Sequence, residues 1–190
     1  WYVGGDLLRL SGSARSRMQP NLDRMGLRPL GYDSVWVNTI YTVALHNVSP
    51  LLWFGRLHVR AALKLREHDL DRQREFLGGG SGLRGYVAEQ FEGDNLLQLN
   101  LEYRSKPINL LTLHLGFVVF YDAGGVFGGP DPAAPSQELP FAYKHSVGLG
   151  LRGHFPQFDK ESLRVDFAVP LTSDRGSLGT WISFSFGQVF

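Results

Sequence analysis

A glycine-rich segment is the first part of the chain whose residue types and spacing could do chemistry. Residues 80–85, with the sequence GSGLRG, have the glycine spacing of a dinucleotide-binding loop. Such a loop cradles pyrophosphate only between an apolar strand and a helix, whereas here a charged run, residues 67–75, precedes it and an alternating strand follows. The sequence therefore argues against nucleotide binding. The glycines instead allow a long loop, residues 67–95, to fold tightly around Arg84.

Patterns typical of catalytic sites are missing from the sequence. No histidine pair has the H-E-x-x-H spacing of a zinc protease, and no serine lies in a G-x-S-x-G turn. The absence of cysteine removes disulfides, thiolate zinc sites and cysteine nucleophiles. The histidines considered are His46, His58, His114, His145 and His154. We therefore expect no enzyme activity, no cofactor and no metal, although an enzyme assembled from distant strands remains an alternative.

The composition favours a β protein with a sizeable core. The chain has 190 residues, 43% of them hydrophobic, and a formal net charge of only +1, which gives no global field for binding nucleic acid. Its 23 glycines, 13 Phe, 7 Tyr and 4 Trp are typical of β structure. The longest uncharged apolar stretch, residues 107–121, is interrupted by polar side chains and falls short of the roughly 20 residues that a membrane helix needs.

Apolar and polar side chains alternate with a period of two along eight segments. The clearest is residues 163–171, in which every odd position is large and apolar. Such alternation predicts strands with one apolar face and one polar face. The predicted strands are about 2–15, 35–46, 53–66, 97–104, 111–122, 146–155, 163–171 and 182–190.

The connections between these strands alternate in length. Long connections at residues 18–33, 67–94 and 125–144 are separated by short ones at 49–52, 105–109 and 156–161. Long loops on one side and short turns on the other are typical of outer-membrane barrels, whose short turns lie in the periplasm. Both chain ends are then expected on the periplasmic side.

Charged residues gather on one face of the predicted strands. Each would cost up to about 2–4 kcal/mol at the bilayer midplane, so this face is expected to line a wet or protein-filled lumen while the apolar stripes meet lipid. The charged residues are Arg56, Arg60, Lys64, Arg66, Arg104, Arg152, Arg164, Glu102, Asp122 and Asp166. The predicted fold class is all-β, an antiparallel transmembrane β-barrel with about eight strands in residues 1–190, a single domain. A soluble β-sandwich with a solvated charged face is the alternative.

From about Gly78 to Phe190 the chain resembles the BamA/TpsB superfamily of outer-membrane assembly and secretion barrels, also called bacterial surface antigens. In that family the sixth extracellular loop carries a [V/L]-R-G-[F/Y] motif, and residues 83–86, LRGY, fit it with leucine in place of the commoner valine. The resemblance implies that the loop of residues 67–95 is extracellular and folds back into the lumen, where Arg84 meets acidic residues of the barrel wall.

The resemblance also supplies the wall residues. The family's F-x-D-x-G segment is matched by residues 120–124, FYDAG, and its acidic residue on the preceding strand by Glu102. The alternation independently places Glu102, Phe120 and Asp122 on the charged face. A buried guanidinium must be paired, and its planar fork can engage two carboxylates. The predicted loop-to-wall lock comprises Arg84, Gly85, Tyr86, Glu102, Phe120, Asp122 and Gly124. The alternative leaves Arg84 in solvent and Asp122 as a turn cap.

The last nine residues resemble the β-signal of outer-membrane proteins. They alternate apolar and small residues, with a glycine near the end and a terminal aromatic side chain. As an edge strand this segment could be recognised by strand addition, and its final aromatic ring would lie in the periplasmic girdle. The predicted signal residues are Ile182, Phe184, Phe186, Gly187, Gln188 and Phe190. The alternative is the last strand of a soluble sheet.

The family resemblance implies that the barrel handles polypeptides, by inserting outer-membrane proteins or by secreting a partner. A small structural or lipid-contacting barrel without transport activity is the alternative. The implied partners are outer-membrane lipid and lipopolysaccharide, client polypeptides, and the barrel-assembly machinery acting on the C-terminal strand, with no nucleic acid. The location implied is the Gram-negative outer membrane. We favour the C-terminal half of a sixteen-strand barrel, completed by an N-terminal half or a second copy, over a small closed barrel.

Overall fold

The structure, a computed structural model, describes residues 7–18, 36–69, 73–79, 82–111, 113–129, 137, 139–154, 161–172 and 181–188. Within these ranges no helix is long and apolar enough to cross a membrane. Regular structure there consists of strands. Their bounds are β1 Leu7–Met18, β2 Trp36–Val48, β3 Gly55–Glu67, β4 Glu75–Leu77, β5 Phe91–Gly93, β6 Asn95–Ser105, β7 Ile108–Leu110, β8 Leu113–Phe127, β9 Lys144–His154, β10 Glu161–Pro170 and β11 Trp181–Gln188.

Eight of these strands form one antiparallel sheet in chain order. The sheet runs β1-β2-β3-β6-β8-β9-β10-β11, with the short β7 paired to β8, while β4 and β5 form a separate hairpin inside the long loop. The predicted all-β, antiparallel fold with about eight main strands is confirmed. Among the described residues β1 and β11 are not paired with each other, so the sheet is open and consistent with a partial barrel.

The sheet has a charged face and an apolar face, as the alternation predicts. Cross-strand pairs place Glu102 opposite Phe120 and Arg152 opposite Arg164, so the ionisable side chains of neighbouring strands share the charged face. Burial is inverted relative to a soluble protein, since Asp122 is fully buried while Leu149 on the apolar face is 61% exposed. Further exposed residues of the apolar face are Tyr41, Val43, Leu97, Phe117, Val119, Val147, Phe167 and Val169.

The start of β2 departs from the predicted alternation. Strict alternation along residues 35–46 predicts Val37 on the apolar face and Trp36 on the luminal face. In the structure the register passes from Arg15 opposite Ile40 to Arg17 opposite Val37, which leaves one extra residue in β2. Such a bulge reverses the two faces beyond it. Val37 is consequently buried and Trp36 exposed, which corrects the prediction for both.

The structure extends the strand that the sequence predicts at residues 111–122. β8 runs to Phe127, five residues beyond the prediction, because its glycine-rich end continues to pair with β6 as far as Asn95. The backbone of residues 181–188 forms β11 and pairs with β10 from Glu161 to Ala168, which places the predicted signal segment at the sheet edge. Phe190 lies outside the described residues.

Candidate functional site

The long loop that follows β3 returns across the charged face of the sheet. An apolar cluster lies at the point of return, and each of its members is at most 5% exposed. The cluster consists of Leu77, Leu83 and Tyr86 from the loop with Leu96 of β6 and Val126 of β8. Because Leu83 and Tyr86 flank Arg84 in the sequence, burial of the cluster fixes the backbone from which the Arg84 side chain projects.

Arg84 makes a two-pronged ion pair with Asp122. Its Nε donates to Oδ2 at 2.6 Å and its Nη2 to Oδ1 at 2.8 Å, and the backbone N–H of Arg84 lies 3.3 Å from Oδ2. The guanidinium carbon lies 3.5 Å from the centre of the Phe120 ring, a cation–π contact. Both partners are buried, which is tolerated because the charges are paired in the geometry that the guanidinium fork favours.

Two further carboxylates reach the same guanidinium. Arg84 Nη1 lies 2.6 Å from Glu102 Oε1 on β6 and 3.4 Å from Asp166 Oδ2 on β10. Burial alone would lower the pKa of Arg84, but the hydrogen bonds and negative charges of these neighbours outweigh it and raise the pKa above its usual value. Arg84 therefore stays charged and ties the long loop to three separate strands.

The carboxylates are held in turn by three more arginines. Arg104 Nη2 lies 2.6 Å from Glu102 Oε2, Arg164 Nη2 lies 3.1 Å from Asp166 Oδ2, and Arg152 pairs with Asp166 through two nitrogens. Four guanidinium groups thus surround three carboxylates. We call these seven side chains the ion network: Arg84, Arg104, Arg152, Arg164, Glu102, Asp122 and Asp166.

Gly85 brings the loop into direct contact with the sheet. Its φ of +91° is in the left-handed region that favours glycine. A Cβ at this position would lie 3.3 Å from the Cβ atoms of Ala168 and Ser146 and from the nitrogen of Pro170. A side chain is therefore opposed both by the backbone conformation and by the lack of space.

Tyr86 fastens the loop to the rim of the sheet. Its hydroxyl lies 3.0 Å from the carbonyl oxygen of His145 and 3.2 Å from that of Thr172. Its ring meets Phe91 of the loop hairpin edge to face, with centroids 5.3 Å apart. One side chain thus joins the hairpin to β9 and to the segment after β10.

Amide side chains of β6 hold the loop backbone just before Arg84. Asn100 Nδ2 donates to the Gly82 carbonyl at 2.8 Å and to Asp122 Oδ1 at 2.8 Å, and Gln98 Nε2 lies 3.3 Å from the same carbonyl. These contacts orient both the loop and the carboxylate that it reaches.

Glycines beneath the site make room for larger groups. A Cβ on Gly148 would collide with the Phe120 ring and with the Phe167 carbonyl. A Cβ on Gly124 would lie 2.6 Å from the carbonyl oxygen of Leu97. Gly148 therefore leaves room for the Phe120 ring that contacts Arg84, and Gly124 allows close pairing of β8 with β6.

The β4–β5 hairpin of the loop is anchored by Glu75. Lys64 Nζ donates to Glu75 Oε2 at 2.9 Å, and Arg66 pairs with the other carboxylate oxygen. Burial raises the pKa of Glu75, but the hydrogen bonds from Lys64 and Arg66 outweigh burial and leave this pKa below its usual value. The hairpin is thus held to the end of β3 by charge.

The structure brings Arg84 into contact with Glu102, Phe120 and Asp122, and Gly85 and Tyr86 follow it in the same loop. Gly124 lies under the loop residue Leu77 instead of touching Arg84. Sequence reasoning did not include Asp166 in the lock, although the alternation placed it on the correct face. The sequence also did not predict that Arg152, Asn100 and Ser146 lie beside the loop, because no motif links them to it.

Comparison with protein families identifies the chain. The profile described as the Omp85 superfamily domain matches residues 31–190. The chain belongs to the Omp85 superfamily. The matched range contains every strand from β2 to β11, and with them the whole ion network. No curated protein and no solved structure matches the chain.

Membership of the Omp85 superfamily agrees with the resemblance to BamA/TpsB barrels and connects the chain with outer-membrane assembly and secretion in general. The antiparallel sheet with its exposed apolar face is consistent with an outer-membrane β-barrel. In this Omp85 chain the long loop and three strands are joined through one arginine.

Proposed function

We propose that the chain forms part of an outer-membrane barrel that handles polypeptides, inserting outer-membrane proteins or secreting a partner. The observation that carries this proposal is the pairing of Arg84 with Asp122 and Glu102 in a chain of the Omp85 superfamily. It fastens a long loop against the charged face of a sheet whose two edges are open among the described residues.

The proposed contact with lipid and lipopolysaccharide is made by the apolar face. Phe117, Val119 and Leu149 are each more than half exposed, whereas residues 116, 118 and 120 on the opposite face of β8 are buried. Large exposed apolar surfaces mark contact with lipid or another protein. Facing this surface outward leaves the ion network in the lumen, where charges are tolerated.

Aromatic residues at the two ends of the strands support a membrane orientation. At the short β2–β3 turn Trp53 is 90% exposed, and Phe54 packs edge to face on Tyr103. At the opposite end the hydroxyls of Tyr121 and Tyr143 lie 2.5 Å apart. Outer-membrane barrels carry such girdles at both interfaces. In this orientation the short turns and both chain ends are periplasmic, and the long loop is extracellular.

The open edges of the sheet require further strands. In the part of the chain that the structure describes, the outer edges of β1 and β11 have no partner strand, and unpaired backbone groups cannot remain bare in lipid. We place this chain as the C-terminal half of a sixteen-strand barrel, with the remaining strands supplied by an N-terminal half or by a second copy. A junction between two such edges is also where an incoming strand could add by backbone pairing.

The C-terminal strand is proposed to be the segment that barrel-assembly machinery recognises. β11 lies at the sheet edge, so one side of its backbone faces away from β10. Strand addition to such an edge uses main-chain hydrogen bonds for affinity and alternate side chains for specificity.

The test is folding of a client barrel in proteoliposomes. A small urea-unfolded outer-membrane barrel protein is added to vesicles that contain this protein, and its folding is followed by the heat-dependent shift of its electrophoretic band. Vesicles with an unrelated barrel serve as the control. We expect faster client folding with this protein and a loss of the acceleration in Arg84→Ala but not in Arg15→Ala, an arginine of β1 outside the ion network. Equal rates in all vesicles would instead favour a structural barrel.

A further inference from the structure

A cavity of about 210 Å³ opens on the charged face beside Arg84. Its wall contains four guanidinium groups, two imidazoles and one carboxylate, supplied by β2, β3, β6, β10 and the long loop. The charged members of the wall are Arg60, Arg84, Arg104, Arg164 and Glu102. A cavity lined in this way is polar and positively charged, unlike the apolar pockets that bind most organic ligands.

Among the residues that the structure describes, the arginines around the cavity outnumber the carboxylates that pair with them. The four arginines of the ion network face three carboxylates, which leaves one positive charge. Arg60 of β3 adds a second, because among the described residues it has no ion-pair partner. The ion network and Arg60 together therefore carry a charge of +2.

We propose that this cavity binds a phosphate group, either free phosphate or the phosphate of a lipid headgroup. A phosphate monoester carries about −1.5 to −2 charges near neutral pH, which matches the uncompensated charge. Guanidinium groups present planar forks that suit phosphate oxygens.

The geometry gives each arginine a different part in this site. The side chains of Arg104 and Arg164 are 37% and 36% exposed. Each pairs with a carboxylate and also lines the cavity. Arg84 is held by three carboxylates and completes the inner wall. Arg60 takes no part in the lock, so its replacement separates phosphate binding from loop docking.

The proposal requires that the charged face meet water, but it does not depend on the handling of polypeptides. The protein is tested in an uncharged glucoside detergent, which supplies no phosphate. Inorganic phosphate is titrated in by calorimetry, with sodium chloride of equal ionic strength as the reference. We expect saturable binding of phosphate and an affinity that falls about tenfold or more in Arg60→Gln. The matched control is Arg15→Gln, which removes the same charge from exposed β1.

A second arm identifies the source of the phosphate. Binding of short-chain phosphatidic acid is compared with binding of inorganic phosphate in the same detergent. Tighter binding of phosphatidic acid assigns the site to a lipid headgroup. Equal or weaker binding of phosphatidic acid assigns the site to free phosphate. The heat-dependent band shift of each variant verifies that it is folded. No saturable heat with either ligand, or equal loss of affinity in Arg60→Gln and Arg15→Gln, would overturn the proposal. Saturable phosphate binding by a protein that does not accelerate client folding would count only against the polypeptide function.

Discussion

Asp166 of β10 lies 3.4 Å from Nη1 of Arg84, although 82 residues separate them in the chain. The same carboxylate pairs with Arg152 and Arg164. Asp166 therefore connects Arg84 of the loop with Arg152 of β9 and Arg164 of β10. A single buried carboxylate holds three guanidinium groups in place, which makes it a position of large expected effect.

Replacing Asp166 by asparagine is expected to loosen both the sheet and the loop. The amide cannot neutralise Arg152 and Arg164, and breaking a buried ion pair by removing one partner costs about 3–5 kcal/mol. The measurement is the temperature at which the folded band disappears in unboiled gels. Glu92→Gln is the control, because Glu92 is half exposed and its ion pair with Arg74 is long, at 3.6 Å. Equal transition temperatures for the two variants would contradict a structural role for Asp166.

Arg84→Ala is expected to release the long loop. The change leaves Asp122, which is fully buried, without its two-pronged partner, and the cost is again about 3–5 kcal/mol. Cleavage by trypsin within residues 67–95 should become faster than in the unmodified protein. Arg84→Lys should rescue only in part, because an ammonium group lacks the fork. Unchanged protease resistance in Arg84→Ala would show that the ion pair does not hold the loop.

Gly85→Ala is expected to be destabilising even though it adds only a methyl group. The methyl carbon would be placed at a φ of +91° and 3.3 Å from atoms of three residues of the sheet, with a cost of about 1–3 kcal/mol. Gly12→Ala is the matched control, because there the nearest atom is 3.9 Å away and φ is ordinary. Gel-shift transition temperatures of the two variants should therefore differ, and a larger loss for Gly12→Ala would contradict this interpretation.

The hairpin of the long loop is expected to loosen in acid. Because the pKa of Glu75 is lowered in the folded state, its contribution is complete above the ordinary carboxyl pKa and is lost as the pH falls through the lowered value. Hydrogen exchange of residues 75–77, corrected for intrinsic rates and measured between about pH 3 and 6, should show weaker protection at the acid end. Glu75→Gln should remove this dependence. A dependence that persists in the variant would assign it to other groups.

Much of the fold follows from side-chain alternation. A period of two specifies which side chains share a face, so Glu102, Phe120 and Asp122 could be placed together before the register was known. The faces at the start of β2 could not be predicted, because an extra residue near Asn38 reverses them without a local sequence signal.

The site was predictable only where a motif links distant segments. Arg84 and Asp122 belong to such motifs, whereas Asp166 reaches Arg84 through the pairing of β8, β9 and β10, which depends on the whole sheet. The role of Gly148 could not be predicted either, because it depends on the Phe120 ring of the neighbouring strand packing against it. Residues of this kind are found from three-dimensional packing and not from spacing along the chain.

In the proposed orientation the charged face lines water and the apolar face contacts lipid. Because the chain has no cysteine, a nitroxide label can be attached to a single introduced cysteine at Leu149, at Phe117 or at Arg60. Spin-label accessibility is then measured in proteoliposomes with oxygen, which concentrates in lipid, and with a water-soluble nickel complex. We predict that labels at positions 149 and 117 are relaxed mainly by oxygen and the label at position 60 mainly by nickel. Nickel-dominated relaxation at positions 149 and 117 would contradict this orientation.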